Sequence, residues 1–136
     1  MNKIVLYADD DPDDKVWVAE ACKAVDSDLK ISFVDNGRQV LNFLEHLTDQ
    51  QLPCLIVLDL NMPELDGRQT LQKLKEHPAY RQIPVAIVST SSNTIDREVC
   101  QRFGASLFLI KPVMYGEWES IIRQLEPLSG NTSANL

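Results

Sequence analysis

Short runs of β-branched and leucine residues alternate along this chain with longer stretches in which apolar side chains return every three or four positions. The pattern predicts strands over residues 3–8, 30–34, 54–58, 84–89 and 106–110, and helices over 12–25, 37–47, 66–76, 94–103 and 115–127. Strict strand–helix alternation implies a parallel sheet with crossover helices, the α/β class, built from (βα)5 units. Val18, Cys22 and Val25, then Val40, Leu44 and Leu47, then Ile95, Val99 and Phe103 recur at helical spacing, so each helix is expected to turn one apolar stripe toward the sheet. Local signals agree with these bounds. Asp11-Pro12 offers a cap followed by proline at the first helical position, Asp66-Gly67 and Asn93 can cap the third and fourth helices, and Gly104 closes the fourth.

A chain of 136 residues suffices for one domain with a two-sided core and is short for two. The expected organisation is a single domain over 1–128 and a flexible polar tail over 129–136, where Ser129-Gly130-Asn131-Thr132-Ser133 has little apolar surface to bury. A formal net charge of −7 and a pI near 4.7 argue against nucleic-acid backbone or anionic membrane as partner. No stretch of about 18 apolar residues is present, and the N-terminus lacks a secretory pattern, so a soluble, cytoplasmic protein is expected. Cys22, Cys54 and Cys100 show no C-x-x-C spacing and read as reduced core residues. His46 and His77 lack any neighbouring nucleophile or ligand pattern and read as surface residues.

Polar residues at the strand ends carry the candidate chemistry. The first strand runs into Asp9-Asp10-Asp11, the third into Asp59, the fourth into Ser89-Thr90 and the fifth into Lys111-Pro112. In an open parallel sheet these C-terminal ends share one edge, where ligands bind. Asp9, Asp10 and Asp59 held about 4 Å apart would repel by roughly 4 kcal/mol per pair at an effective dielectric near 20. A divalent cation relieves that repulsion, and an all-oxygen donor set with room for water suits Mg²⁺. Asp11, Asp13 and Asp14 read instead as a solvated helix start favoured by the helix dipole. Lys111 ends an apolar strand and points its ammonium along the edge toward the carboxylates, and the Ser89 hydroxyl is placed to bond an anion beside the metal.

The Asp9-Asp10 pair, Asp59 with Asn61-Met62-Pro63 and Asp66-Gly67, Ser89, and Lys111-Pro112 together resemble the receiver domain of two-component response regulators, over about residues 3 to 127. The likeness is to stand-alone members, such as the chemotaxis regulator and phytochrome-associated regulators. It implies a doubly wound, flavodoxin-like, five-stranded parallel sheet of order 2-1-3-4-5. Asp59 is then the phosphoacceptor, taking a phosphoryl group from a sensor histidine kinase or histidine phosphotransfer protein. The metal ligands implied are Asp10, Asp59 and the backbone carbonyl of Asn61, with Asp9 acting mainly through water. Lys111, Ser89 and Thr90 are implied to hold the phosphoryl group, and Ser89 and Phe108 to form the switch, Phe108 turning inward. A cis Lys111–Pro112 bond is implied as well. The protein would be a switch without turnover of an external substrate, acting on an effector protein or on a second copy of itself through its fourth helix, fifth strand and fifth helix. A relay role toward a histidine phosphotransfer partner stays open. A haloacid-dehalogenase-like phosphohydrolase would need an acid at position 61, where Asn61 stands, and a flavodoxin-like carrier would need a hydroxyl-rich loop in place of Asp9-Asp10-Asp11.

Overall fold

The computed structural model of this chain describes residues 3–134. Five strands, β1 (Ile4–Ala8), β2 (Lys30–Val34), β3 (Leu55–Leu58), β4 (Val85–Ser89) and β5 (Leu107–Ile110), alternate with α1 (Pro12–Ala24), α2 (Gly37–Glu45), α3 (Gly67–Glu76), α4 (Thr94–Arg102) and α5 (Trp118–Ala134). The sheet is wholly parallel, in the order β2-β1-β3-β4-β5. The chain winds outward from β1 to β2, then back past β1 to β3, so the winding direction reverses between β1 and β3. At that reversal the crossover connections diverge and leave a crevice beyond the strand ends.

Side chains alternate across each strand and sort into two cores. Leu6, Ile56, Leu58, Val85 and Ile87 face Val40, Leu44, Leu71, Leu74 and Cys100 of α2, α3 and α4. Val5, Tyr7, Leu55, Val57 and Val88 face Val18 and Cys22 of α1 and Trp118, Ile122 and Leu125 of α5. Both sheet faces are thus covered, which is why β1, β3 and β4 read as unbroken apolar runs. Trp17 and Trp118, their ring centroids 6.3 Å apart, pack together where α1 meets α5. Cys22 and Cys100 are buried, Cys54 is half-buried, all three are free, and both histidines are exposed.

The caps form as the sequence predicts. Asp11, Asn93 and Asp66 accept hydrogen bonds from Asp13 N, Ile95 N and Gln69 N, the last within a reciprocal capping box. Gly67 is required by close approach: a Cβ there would lie 2.2 Å from Asp59 O and 2.8 Å from Leu60 Cα. Its absence lets α3 press against the backbone that carries Asp59.

Three expectations are corrected. Ile95, expected on the buried stripe of α4, is 67% exposed; the inward face runs through Asp96, Cys100 and Phe103, one position round the helix. Asp96 can face inward because Arg68 and Ser91 satisfy it. The segment read as a loose tail from residue 129 instead continues α5 to Ala134, with Ser129 buried and its hydroxyl donating to Glu126 O at 2.7 Å. Pro127, which lacks an N–H, interrupts the hydrogen-bond ladder without ending the helix. Residues 135 and 136 of that proposed tail lie outside the described residues. Finally, no peptide bond among the described residues is cis, so Lys111–Pro112 is trans.

Candidate functional site

Register places the first two carboxylates. Ala8 pairs with Leu58 at the end of the β1–β3 ladder, so the next residues, Asp9 and Asp59, leave adjacent strands side by side. The backbone stays tied there, with Asp59 N donating to Ala8 O at 3.1 Å and Asp9 N to Val34 O at 3.0 Å. On the other flank Ser89 pairs with Ile110, and Lys111 N donates to Ser89 O at 2.8 Å. Two strand spacings, about 10 Å, separate β5 from β3. Lys111 crosses that distance along the edge.

Its ammonium sits among three carboxylates. Nζ lies 2.6 Å from Asp14 Oδ2, 2.8 Å from Asp59 Oδ2 and 3.0 Å from Asp9 Oδ2. Asp14 corrects the reading of that residue as solvated helix start: it is 5% exposed, as buried as Asp59. The spacing carried the signal, because Asp14, Val18 and Cys22 follow one another at i, i+4 and share the inward face of α1. Asp11 and Asp13 are exposed, as expected, and Asp11 serves as the cap.

Asp9, Asp10 and Asp59 each bring a carboxylate oxygen within 4.8 Å of the others, Asp10 from the solvent side. Asp59 Oδ1 accepts from Asn61 N at 3.2 Å and Asp9 Oδ1 from Asp11 N at 2.9 Å. Asp9 Oδ2 is buried without a hydrogen bond: Lys111 is near it, but its bonds go to Asp14 and Asp59. A buried carboxylate oxygen held only as an ion pair to Lys111 3.0 Å away, beside two further carboxylates, is a donor set that a hard divalent cation fits. Burial pushes the Asp9 carboxyl up to about 7, although Asp11 N–H and Lys111 pull it down. Burial alone would lower the Lys111 ammonium, but hydrogen bonds to Asp14 and Asp59 and the charges of Asp59 and Asp9 hold it above its ordinary value. With all groups ionised, four carboxylates face one ammonium. That excess of negative charge is what a bound proton or cation would offset.

The Ser89 hydroxyl is fully buried at the end of β4 and accepts from Ser91 N at 3.3 Å, while Thr90 beside it is exposed. Phe108, expected to turn inward on switching, is already 7% exposed, with the Arg97 guanidinium 5.3 Å from its ring centroid. A link the sequence did not reveal joins α3 to the β4–α4 loop: Arg68 Nη2 lies 3.4 Å from Asp96 Oδ1, and Ser91 Oγ donates to Asp96 Oδ2 at 2.7 Å. Residues so far apart in sequence meet only through tertiary packing.

The family model described as "Response regulator receiver domain" matches residues 5–123. Response regulator Rcp1 of Synechocystis sp. is 30% identical over 112 residues, covering 80% of this chain and 76% of its own. Response regulator Rre1 of the same organism is 33% identical over 124 residues and 89% of this chain, and the match spans half the length of that relative. Among solved structures, the Mn(2+)-bound form of Rcp1 superposes with a TM-score of 0.80 at 27% identity, covering 92% of each chain. The phosphorylated cyanobacterial phytochrome response regulator RcpA gives 0.84 at 25% identity, covering 97% of this chain and 96% of its own.

Proposed function

This chain belongs to the response regulator receiver domain family, and we propose that Asp59 accepts a phosphoryl group from a phosphohistidine of a sensor histidine kinase or histidine phosphotransfer protein. Receiver domains are signalling switches rather than enzymes that turn over an external substrate. The observation that carries the assignment is the buried Asp59 carboxylate, 2.8 Å from the Lys111 ammonium and beside Asp9 and Asp10 at the switch point of the sheet.

In the transfer, a carboxylate oxygen of Asp59 forms a bond to phosphorus as the bond to the histidine nitrogen breaks, and the nitrogen keeps that electron pair. Such a reaction needs alignment and charge neutralisation more than covalent help. Asp9, Asp10, Asp59 and the Asn61 backbone carbonyl are the groups that would hold Mg²⁺, which when bound offsets charge on the acceptor and the phosphoryl oxygens. An Mn(2+)-bound relative supports a divalent ion here. Lys111 neutralises a second share of the phosphoryl charge, and the Ser89 hydroxyl donates to a phosphoryl oxygen, with Thr90 at the pocket mouth. Movement of Ser89 and repacking of Phe108 then alter α4, β5 and α5.

That surface supports an output role. Ile95, Val113 and Met114 are exposed there, Val113 at 95%, which suits an effector protein or a second copy of the chain. The net charge of −7 disfavours nucleic acid and anionic membrane, and among the described residues no helix is long and apolar enough to cross a membrane, so the cytoplasm is the proposed location. The test is incubation with acetyl phosphate and Mg²⁺, followed by intact mass. One acid-labile phosphoryl group should be added, and none to Asp59→Asn or in excess chelator. Equal Mg²⁺-dependent labelling of Asp59→Asn would refute the assignment.

A further inference from the structure

Asp14 has no place in the donor set for the cation, yet its Oδ2 lies nearer the Lys111 ammonium, at 2.6 Å, than either Asp59 or Asp9. It is buried on α1, while Lys111 leaves β5, so the contact joins two elements across the pocket. Asp11 and Asp13 take no part: Asp11 Oδ1 accepts from Asp13 N, and both side chains point to solvent. An ammonium has three protons to donate: Asp14 and Asp59 each hold one, and the remaining side faces Asp9 Oδ2 at 3.0 Å. A phosphoryl group on Asp59 calls on the same ammonium. If Lys111 moved wholly to the phosphoryl oxygens, Asp14 would be left as a buried carboxylate without its cation, which is strongly unfavourable.

We propose that Asp14 is a positioning residue acting through Lys111: it is the resting counter-ion of that lysine, competes with the phosphoryl group for it, and so sets how tightly the phosphorylated state is held. This rests on Asp59 being the phosphoacceptor. Neutralising Asp14 frees a donor and removes one negative charge near an incoming anion. Both effects strengthen anion binding. Were Asp14 needed only to hold Lys111 in place, its loss would weaken binding.

The experiment is titration of the full chain with beryllofluoride at saturating Mg²⁺, followed by ¹⁹F NMR. Asp14→Asn keeps the size and an acceptor oxygen but not the charge, and should bind about tenfold tighter or more, the scale of one unit charge a few ångströms away in a partly buried site. Asp14→Glu should stay close to wild type, and Asp13→Asn, which removes an exposed charge of the same helix turn, should change affinity less than about twofold. Unchanged or weaker binding by Asp14→Asn overturns the inference, as does an equal gain in Asp13→Asn. A measurement on the wild type needs no variant to fold: the Asp14 carboxyl ¹³C resonance should move when beryllofluoride binds, and a fixed resonance overturns the inference too. Failure of the wild type to bind, or undiminished binding by Asp59→Asn, overturns the phosphoacceptor reading and the inference with it.

Discussion

Raising the pH of the metal-free protein should weaken it, and Mg²⁺ should restore the loss. Burial moves the Asp9 carboxyl from its ordinary 3.8 to about 7, with the Asp59 charge adding to burial and the Asp11 N–H and Lys111 opposing it. Between those values the folded chain keeps a proton that the unfolded chain has released, so the folded state binds more protons and stability falls as pH rises. This contribution is complete below the unfolded value of 3.8 and lost as pH passes through about 7. Over the accessible part of that window, pH 5 to 7, the slope approaches about 1.36 kcal/mol per pH unit and flattens as the carboxyl half-titrates near 7, for a loss of roughly 2 kcal/mol. The assay is urea unfolding in chelator from pH 5 to 8, with Asp9→Asn as the control whose amide cannot titrate. Wild type should lose stability steadily while Asp9→Asn stays nearly level. At pH 8, Mg²⁺ at a hundred times its dissociation constant should add about 2.7 kcal/mol, and less at pH 5, where the cation must displace a proton. Level wild-type stability across the range, or an equal slope in Asp9→Asn, would refute the reasoning.

Gly67→Ala sets a Cβ 2.2 Å from the Asp59 carbonyl, a backbone atom that cannot swing aside, so the urea midpoint should fall by the equivalent of about 1–3 kcal/mol and the phosphorylation rate with it; wild-type stability would show that α3 can retreat freely. Burial, helped by the Glu126 charge, raises the Cys22 thiol to about 11, so iodoacetamide at pH 8 should label it far more slowly in the folded than in the unfolded protein, as peptide mass mapping would show; equal rates would contradict its burial. Beryllofluoride should change amide-exchange protection between about Asn93 and Leu125, and changes confined to α1 and α2 would exclude an output through α4, β5 and α5.

What the sequence disclosed depended on whether one local rule decided the position. Asp9, Asp59 and Lys111 directly follow apolar runs, so knowing the strands was enough to place all three at one edge, and the sheet order followed from the resemblance. Asp14 failed that test because charge alone argued for solvent, while its i, i+4 relation to Val18 and Cys22 argued for burial; the lysine that outweighs the charge lies 97 positions away. For α4 Ile95 misled, since Asp96 beside it turns inward once Arg68 and Ser91 satisfy it. The end of α5 was lost to composition: Ser129 and Gly130 look like tail, but the burial of Ser129 draws the helix past Pro127. The trans Lys111–Pro112 bond shows the limit of carrying a family's backbone detail onto one chain.

Both tryptophans of the chain, Trp17 and Trp118, lie on the seam between α1 and α5. The molecule therefore carries its tryptophans on one flank, while the flank formed by α2, α3 and α4 has only the weaker emitter Tyr80 among its buried core residues. Tryptophan emission, excited selectively, is a one-sided reporter: it records events that reach α1, including any loosening of Asp14 from Lys111, and is blind to rearrangement around Ser91 and Asp96. A silent fluorescence trace on activation would locate the change on the far flank rather than show that nothing moved, and a tryptophan engineered into α4 would supply the missing eye.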